Sequence, residues 1–375
     1  MNFDRVQSRS LIIGLTALAI AMAGAFLSPK QFLRSYLVAY LFWVGIALGS
    51  AAIVMLHHLV GGRWGFVIRR MLESATKTLP LMALLSLPIF FGARQLYAWA
   101  LPGNDHAVDH KSLYLNLPFF VIRSLIYFGS WIVLAYFLNK WSAEQDRTAE
   151  RSITRRLQLL SGPGLLLYGL TVTFASIDWV MSLEPHWFST IYGILFMVGQ
   201  ALSTLAFVTA ILMLLSPYPP ISEVVTPDHF HDLGNLMLAF VMLWAYVAFS
   251  QFLIIWSGNL PEEIPWYLSR LRGGWQWIAL FLFLFHFLVP FLLLLARATK
   301  RRMRVLSGLA ISMIVMRLVD LFWMVSPAFH PHGLYVHWMD FITPVAIGGL
   351  WVAMFVWQLK ARPLLPLHDP RFTSG

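Results

Sequence analysis

Seven ionisable residues stand inside or just beyond long apolar stretches: Arg123, Asp178, Glu184, His186, His286, Arg317 and Asp320. Charge at membrane depth is costly, so each is a functional candidate. Asp178 falls roughly 24 Å along its apolar segment at 1.5 Å per residue, in the outer third of a ~30 Å hydrocarbon core. Asp320 lies at a similar depth in a later segment. Arg317 precedes it by one turn, on the same helix face. Arg123 and His286 fall near mid-depth in two further segments. A carboxylate removed from water exchanges its proton nearer neutral pH, and imidazole titrates in the same range. Glu184 and His186 continue the polar line from Asp178 towards the surface. The seven residues suit a proton route. A plainer alternative pairs Asp320 with Arg317 and Asp178 with Arg123, which neutralises buried charge. For His286, flanked by phenylalanine on both sides, the plainer alternative is a hydrogen-bonded structural histidine.

The elements that position these residues follow from composition. The 375 residues are 59% hydrophobic and only 12% charged, about half the charged share of a soluble domain. Ten apolar segments stand out, at roughly 10–27, 36–59, 79–100, 113–138, 162–183, 190–215, 233–257, 274–296, 305–326 and 340–359. Each is long enough to span a bilayer as helix. The expected fold is an all-α membrane protein of about ten transmembrane helices, with residues 1–375 forming a single integral membrane domain. The first segment follows Arg5 and Arg9, yet no small-residue cleavage site follows it, so it reads as a retained helix. The polar stretch 139–156 alternates acids and bases and reads as a short cytoplasmic helix.

Loop charges set the orientation. The N-terminus, the even-numbered loops and the C-terminus hold 19 Lys and Arg, against 5 in the other loops. That excess places both termini in the cytoplasm, and the run Arg297, Lys300, Arg301, Arg302, Arg304 becomes a topogenic loop, not a nucleic-acid patch. The chain has no cysteine. It therefore holds no disulfide, thiolate-bound cluster or covalent c-type haem. His57 and His58 have no second histidine at matching depth for an intrinsic haem. The outer loops hold His106, His110, His186, His330, His332 and His337, but no spacing diagnostic of a metal. No phosphate-binding or dinucleotide-binding fingerprint occurs.

The fifth and ninth segments end alike. Asp178 is followed by six residues and Pro185, and Asp320 by six residues and Pro327. Four helices apart, they run in the same direction, which is the mark of a parallel repeat. The expected architecture is two four-helix bundles, helices 2–5 (36–183) and 6–9 (190–326), flanked by helices 1 and 10.

Two long stretches carry a family resemblance. One runs from Gly162-Pro-Gly164 through Asp178-Trp-Val-Met-Ser-Leu-Glu-Pro-His-Trp-Phe-Ser-Thr190. The other runs from Asp232-Leu-Gly-Asn235 through Phe249-Ser-Gln-Phe-Leu-Ile-Ile-Trp-Ser-Gly-Asn-Leu-Pro-Glu-Glu263. With Trp266-Tyr267, Gly273-Gly-Trp275, His286-Phe287, Arg317 and Asp320, they resemble the smaller ten-helix, polysulphide-reductase-like (NrfD-like) membrane subunit of bacterial alternative complex III, a quinol:cytochrome c oxidoreductase. The resemblance covers most of helices 2 to 9. It implies residence in the bacterial inner membrane. It also implies iron–sulfur and c-type haem partner subunits on the periplasmic face, and a longer paralogous ten-helix subunit. Quinol oxidation would pass electrons through those partners to cytochrome c or an oxidase. In such complexes the quinol pocket is assigned to the larger paralogue. This chain is thus expected to carry no intrinsic redox centre, to supply a proton path, and to meet the quinone pool (menaquinone or ubiquinone) if it binds a cofactor at all. Two other readings stay open: a secondary transporter built on parallel repeats, and a purely structural anchor subunit.

Overall fold

The computed structural model describes residues 2–101, 111–148, 150–366 and 369. Ten helices are long and apolar enough to cross a membrane: α1 (Phe3–Leu27), α2 (Pro29–Val60), α3 (Arg63–Phe91), α4 (Leu117–Thr148), α5 (Arg151–Trp179), α6 (Tyr192–Leu215), α7 (Pro227–Gly258), α8 (Trp275–Leu295), α9 (Met303–Val325) and α10 (Met339–Lys360). No strand occurs among the described residues. The perimeter is studded with exposed Leu125, Leu166, Tyr246, Trp256 and Trp277. In water such a surface would associate; in a bilayer it is the solvated face.

Helices α2 and α6 are almost wholly buried and run side by side through the centre. Thr204 Oγ1 of α6 donates to Ile46 O of α2 at 3.2 Å. Helices α3 and α5 pack on α2, and α4 closes on α5; likewise α7 and α9 pack on α6, and α8 lies against both. Helix α1 pairs with α10, and both lean on α2, where Trp43 Nε1 donates to Pro344 O.

Helix boundaries depart from the sequence expectation in two places. The third crossing begins at Arg63, not near residue 79, and it is broken into Arg63–Thr76, Leu79–Leu85 and Leu87–Phe91. Pro80 and Pro88 at the starts of the later pieces lack the N–H that would continue the ladder. Thr78 and Ser86 turn their hydroxyls back onto Ala75 O and Ala83 O, satisfying carbonyls freed at the breaks. Residues 139–148 form no separate helix: they extend α4, while α5 starts at Arg151.

The reason α3 begins early is a compact ionic cluster. Arg69 and Arg70 lie in its first turns, and both are buried. Glu73 accepts from Arg69 Nε at 2.8 Å and Arg70 Nη1 at 2.6 Å. Asp369 accepts from Arg69, Asp146 from Arg70, and Ser142 donates to Glu73. The charges that make this stretch read as a loop neutralise one another in the fold. This cluster, with the helix ends carrying Arg63, Arg297 and Arg301, marks what is called below the basic face.

Candidate functional site

The two carboxylates of the repeat lie towards the end of the molecule remote from the basic face, but in different settings. Asp178 is the penultimate residue of α5, and a 3₁₀ turn, Met181–Leu183, follows. Asp320 lies five residues before the end of α9, with its own 3₁₀ turn at Ser326–Ala328. The sequence echo therefore places its acids about one turn apart relative to the helix ends.

Asp178 is fully clasped. Arg123 of α4 reaches across and donates from Nε to Oδ2 at 2.8 Å and from Nη2 to Oδ1 at 2.7 Å. This bidentate geometry is the strongest that guanidinium and carboxylate can adopt. Tyr127 adds a third donor at 2.8 Å. The guanidinium also donates to Tyr114 O, and it is covered by the Tyr114 and Phe119 rings at 3.8 and 4.3 Å from their centroids. The space between α3 and α4 beside this pair is filled by Tyr97, Trp99 and Phe120, whose ring centroids lie 5.3–5.5 Å apart. Tyr97 donates to Trp179 O at 3.0 Å.

Asp320 has a single ion-pair partner. Arg317 Nη1 on its own helix donates to Oδ2 at 2.5 Å, and the Trp244 indole N–H is directed at the same carboxylate. The Arg317 guanidinium sits where Gly199 of α6 has no side chain: a Cβ there would lie 2.3 Å from Nη1. Asp320 forms part of the lining of a cavity of about 570 Å³. Helices α7 and α8 touch near residues 289–295 and diverge away from the basic face, and the cavity lies in that divergence. Its walls are Trp244, Phe249 and Phe252 of α7 and Phe283 and Phe287 of α8; Trp266, Tyr267 and Trp323 close the far end. Exposed Tyr246, Phe249 and Phe283 frame its mouth on the lipid-facing perimeter.

Two polar groups besides Asp320 reach this cavity. Gln251 accepts from Ser189 Oγ at 3.1 Å and donates to Tyr267 Oη at 3.4 Å. The Tyr267 oxygen thus serves as acceptor and leaves its own O–H available. Burial pushes this phenol up to about 12, so it stays protonated. An apolar chamber with a few convergent polar groups is the ordinary form of a small-molecule site.

His286 lies behind the cavity wall. It sits in a π-helical turn, Phe283–Leu288, fully buried, with its ring edge-on to Trp244 at 4.3 Å. Neither ring nitrogen has a hydrogen-bond partner among the described residues. The structural histidine with satisfied nitrogens is thus not what is found; π turns recur at functional sites.

Glu184 departs from the expected line. It is drawn towards the second half of the molecule, accepting from Arg270 Nη2 at 2.7 Å. Arg270 is buried in the link between α7 and α8, lies over the Trp266 ring, and also donates to Met324 O of α9. Tyr192 at the start of α6 lies within electrostatic reach of both the Arg317–Asp320 and Arg270–Glu184 pairs. His186 is exposed on the connector beyond. Six of the seven residues therefore fall into two groups: Arg123 with Asp178, and Arg317, Asp320, His286 and Glu184 around the α6–α9 half; the seventh, His186, stands apart on the exposed connector.

Sequence reasoning missed Tyr127, Trp244, Gln251, Tyr267 and Arg270. Gln251 lies within a motif stretch and the Trp266-Tyr267 pair is among the further matching residues, but nothing in their spacing shows that α7 and α8 diverge around them. No group of three or more metal-ligating side chains occurs among the described residues; His106 and His110 lie outside them. No protein-family model matches the chain, and no curated protein is significantly similar to it.

Proposed function

We propose that this chain is a membrane subunit of a quinol-oxidising respiratory complex of the alternative complex III type, and that it binds the quinone head in the α7–α8 cavity with Asp320 as proton acceptor. One observation carries the reading: a carboxylate, salt-bridged on one side only, lines an aromatic chamber that opens to lipid. A quinol is a planar ring with a long apolar tail, so its substrate pool lies in the bilayer. A lateral mouth admits the ring without passing through water. Trp244, Phe287 and Trp323 offer faces and edges for stacking, and Tyr267 O–H and Gln251 offer hydrogen bonds to a ring oxygen.

Oxidation of a quinol releases two electrons and two protons. The chain has no cysteine for a cluster, so electrons leave through iron–sulfur and c-type haem subunits docked on the face remote from the basic loops. Asp320 takes the two protons one after the other, passing the first on before it accepts the second. Tyr192 and the Arg270–Glu184 pair form the exit towards that same face. The orientation follows the loop charges, with the basic face in the cytoplasm and the membrane the bacterial inner membrane. The motif stretches at 162–190 and 232–263 support the partner set, including a longer paralogue. Asp178 and Arg123 belong to the structural alternative: both oxygens of that carboxylate are engaged, by three donors in all, so the pair fastens α4 to α5.

Ala279→Trp tests the reading, because it fills the cavity without touching an ion pair. In the assembled complex quinol oxidation is expected to fall at least tenfold, with assembly intact. Unchanged turnover would remove the cavity from the mechanism.

A further inference from the structure

On the basic face, three cations from different parts of the chain gather at the start of α7, and a fourth, Lys300, reaches the same helix about two turns further on. Arg63 opens α3; Arg297, Lys300 and Arg301 share the short helical turn Arg297–Arg301 between α8 and α9. Arg63, Arg297 and Arg301 all act on a single carboxylate, Asp228, and Arg301 Nη2 bonds its Oδ1 at 2.5 Å. That pair is exposed on both sides, so it holds little energy. Asp232 lies one turn further on, so three guanidinium groups meet two carboxylates, which still leaves a local excess of positive charge.

Lys300 is built into the site. It is buried, and its methylenes occupy the space where Gly234 lacks a side chain, 2.7 Å from an ideal Cβ. Its ammonium donates to the neutral Oδ1 of Asn235 at 2.7 Å and makes no ion pair among the described residues. A cation held at a helix boundary without a counter-charge is costly unless an anion comes to it.

The other basic stretches of this face carry acids of their own. Arg69 and Arg70 are answered by Glu73, Asp146 and Asp369. Residues 139–156 interleave Glu144, Asp146 and Glu150 with their cations, whereas 296–304 contain five cations and no acid. The surroundings of the unbalanced group are those of a bilayer edge. Leu292, Leu295 and Val305 are exposed beside it on α8 and α9, and Leu59 and Val60 at the end of α2. Basic side chains at this level meet lipid headgroups.

We propose that Arg63, Arg297, Lys300 and Arg301 bind the phosphate headgroup of an anionic phospholipid from the leaflet bordering the basic face, with its acyl chains lying along the apolar ends of α8 and α9. This site is independent of the cavity and of the reading given to it. A topogenic loop needs only net charge. A lipid site needs these particular cations in convergence, and the two can be separated.

The test reconstitutes the full chain in phosphatidylcholine vesicles carrying a minor fraction of spin-labelled phosphatidylglycerol, and reads the motionally restricted lipid by electron paramagnetic resonance. Spin-labelled phosphatidylcholine gives the reference. Arg63→Gln/Arg297→Gln/Arg301→Gln is expected to lower the preference for phosphatidylglycerol about tenfold. Arg147→Gln/Arg155→Gln/Arg156→Gln removes equal charge from the exposed α4–α5 link and is expected to keep it. Arg297→Gln alone, at an exposed position, is expected to give a two- to threefold loss should the triple variant fold poorly. Raising the salt should weaken the preference. Equal loss in both triple variants, or none in the first, would overturn the proposal. So would displacement of the labelled lipid by inorganic phosphate but not by chloride at equal ionic strength, which would make this a site for the free anion.

Discussion

The two halves of the molecule each bring an aspartate and an arginine to the same end of the bundle, and they use them differently. In the first half the arginine comes from the neighbouring helix, grips Asp178 with two nitrogens, and is roofed by Tyr114 and Phe119. Tyr97, Trp99 and Phe120 fill the gap between α3 and α4. In the second half the arginine sits one turn away on the same helix and bonds one oxygen of Asp320. The corresponding gap between α7 and α8 remains open as a chamber. Where α4 supplies Arg123, α8 supplies a buried histidine in a π turn. One pair is thus enclosed by side chains and tied by two arginine bonds, whereas the other borders an open chamber. A carboxylate gripped by a bidentate arginine has little reason to change partner; one that faces a ligand chamber can change partner during turnover.

The difference can be broken first at Arg123. Arg123→Ala leaves the Asp178 carboxylate buried with Tyr127 as its remaining side-chain donor, and removal of one partner from a buried pair costs about 3–5 kcal/mol. The expected result is a large loss of folded protein in detergent, read as a drop in melting temperature and yield. Tyr127→Phe removes one hydrogen bond to a charged acceptor, a loss of about 2 kcal/mol, and should lower the melting temperature without altering quinol binding. At the other pair, Gly199→Ala inserts a methyl group into the seat of the Arg317 guanidinium. Overpacking of this kind costs about 1–3 kcal/mol; because the displaced atoms end a flexible chain, the lower end is expected. Its signature is a shifted pH profile of quinol oxidation, since the guanidinium moves off Asp320. The smallest effect should come from Tyr267→Phe. It deletes one neutral donor and should weaken quinone binding about fivefold, or ~1 kcal/mol, measured as an increase in KM with little change in kcat.

Much of this comparison was legible in the residues. Ten spanning helices follow from hydropathy because lipid leaves long apolar runs little choice but helix. The pairing of Arg317 with Asp320 was open as an alternative from three-residue helical spacing, and that of Arg123 with Asp178 from their places on neighbouring helices. The start of α3 was not legible. Arg69, Arg70 and Glu73 read as loop until Asp146 and Asp369, distant in sequence, arrive to balance them. The turn of Glu184 towards Arg270 was hidden for the same reason: the partner lies 86 residues away. Nor does periodicity reveal a divergence between α7 and α8, because a helix wall facing a cavity and one facing lipid are both apolar. The polar groups that reach the chamber are few, and each has an unremarkable neighbourhood in sequence.

The contrast between the two carboxylates is tested most directly by proton release from the assembled complex in vesicles during quinol oxidation, measured for Asp320→Asn and Asp178→Asn side by side at matched protein content. The asparagine keeps the shape of each side chain and removes its capacity to take a proton. The account predicts that Asp320→Asn lowers turnover and proton release together by on the order of a hundredfold, while folded Asp178→Asn protein turns over within about twofold of the native rate and is chiefly less stable. The reverse pattern, with Asp178→Asn inactive and Asp320→Asn near native, would contradict it.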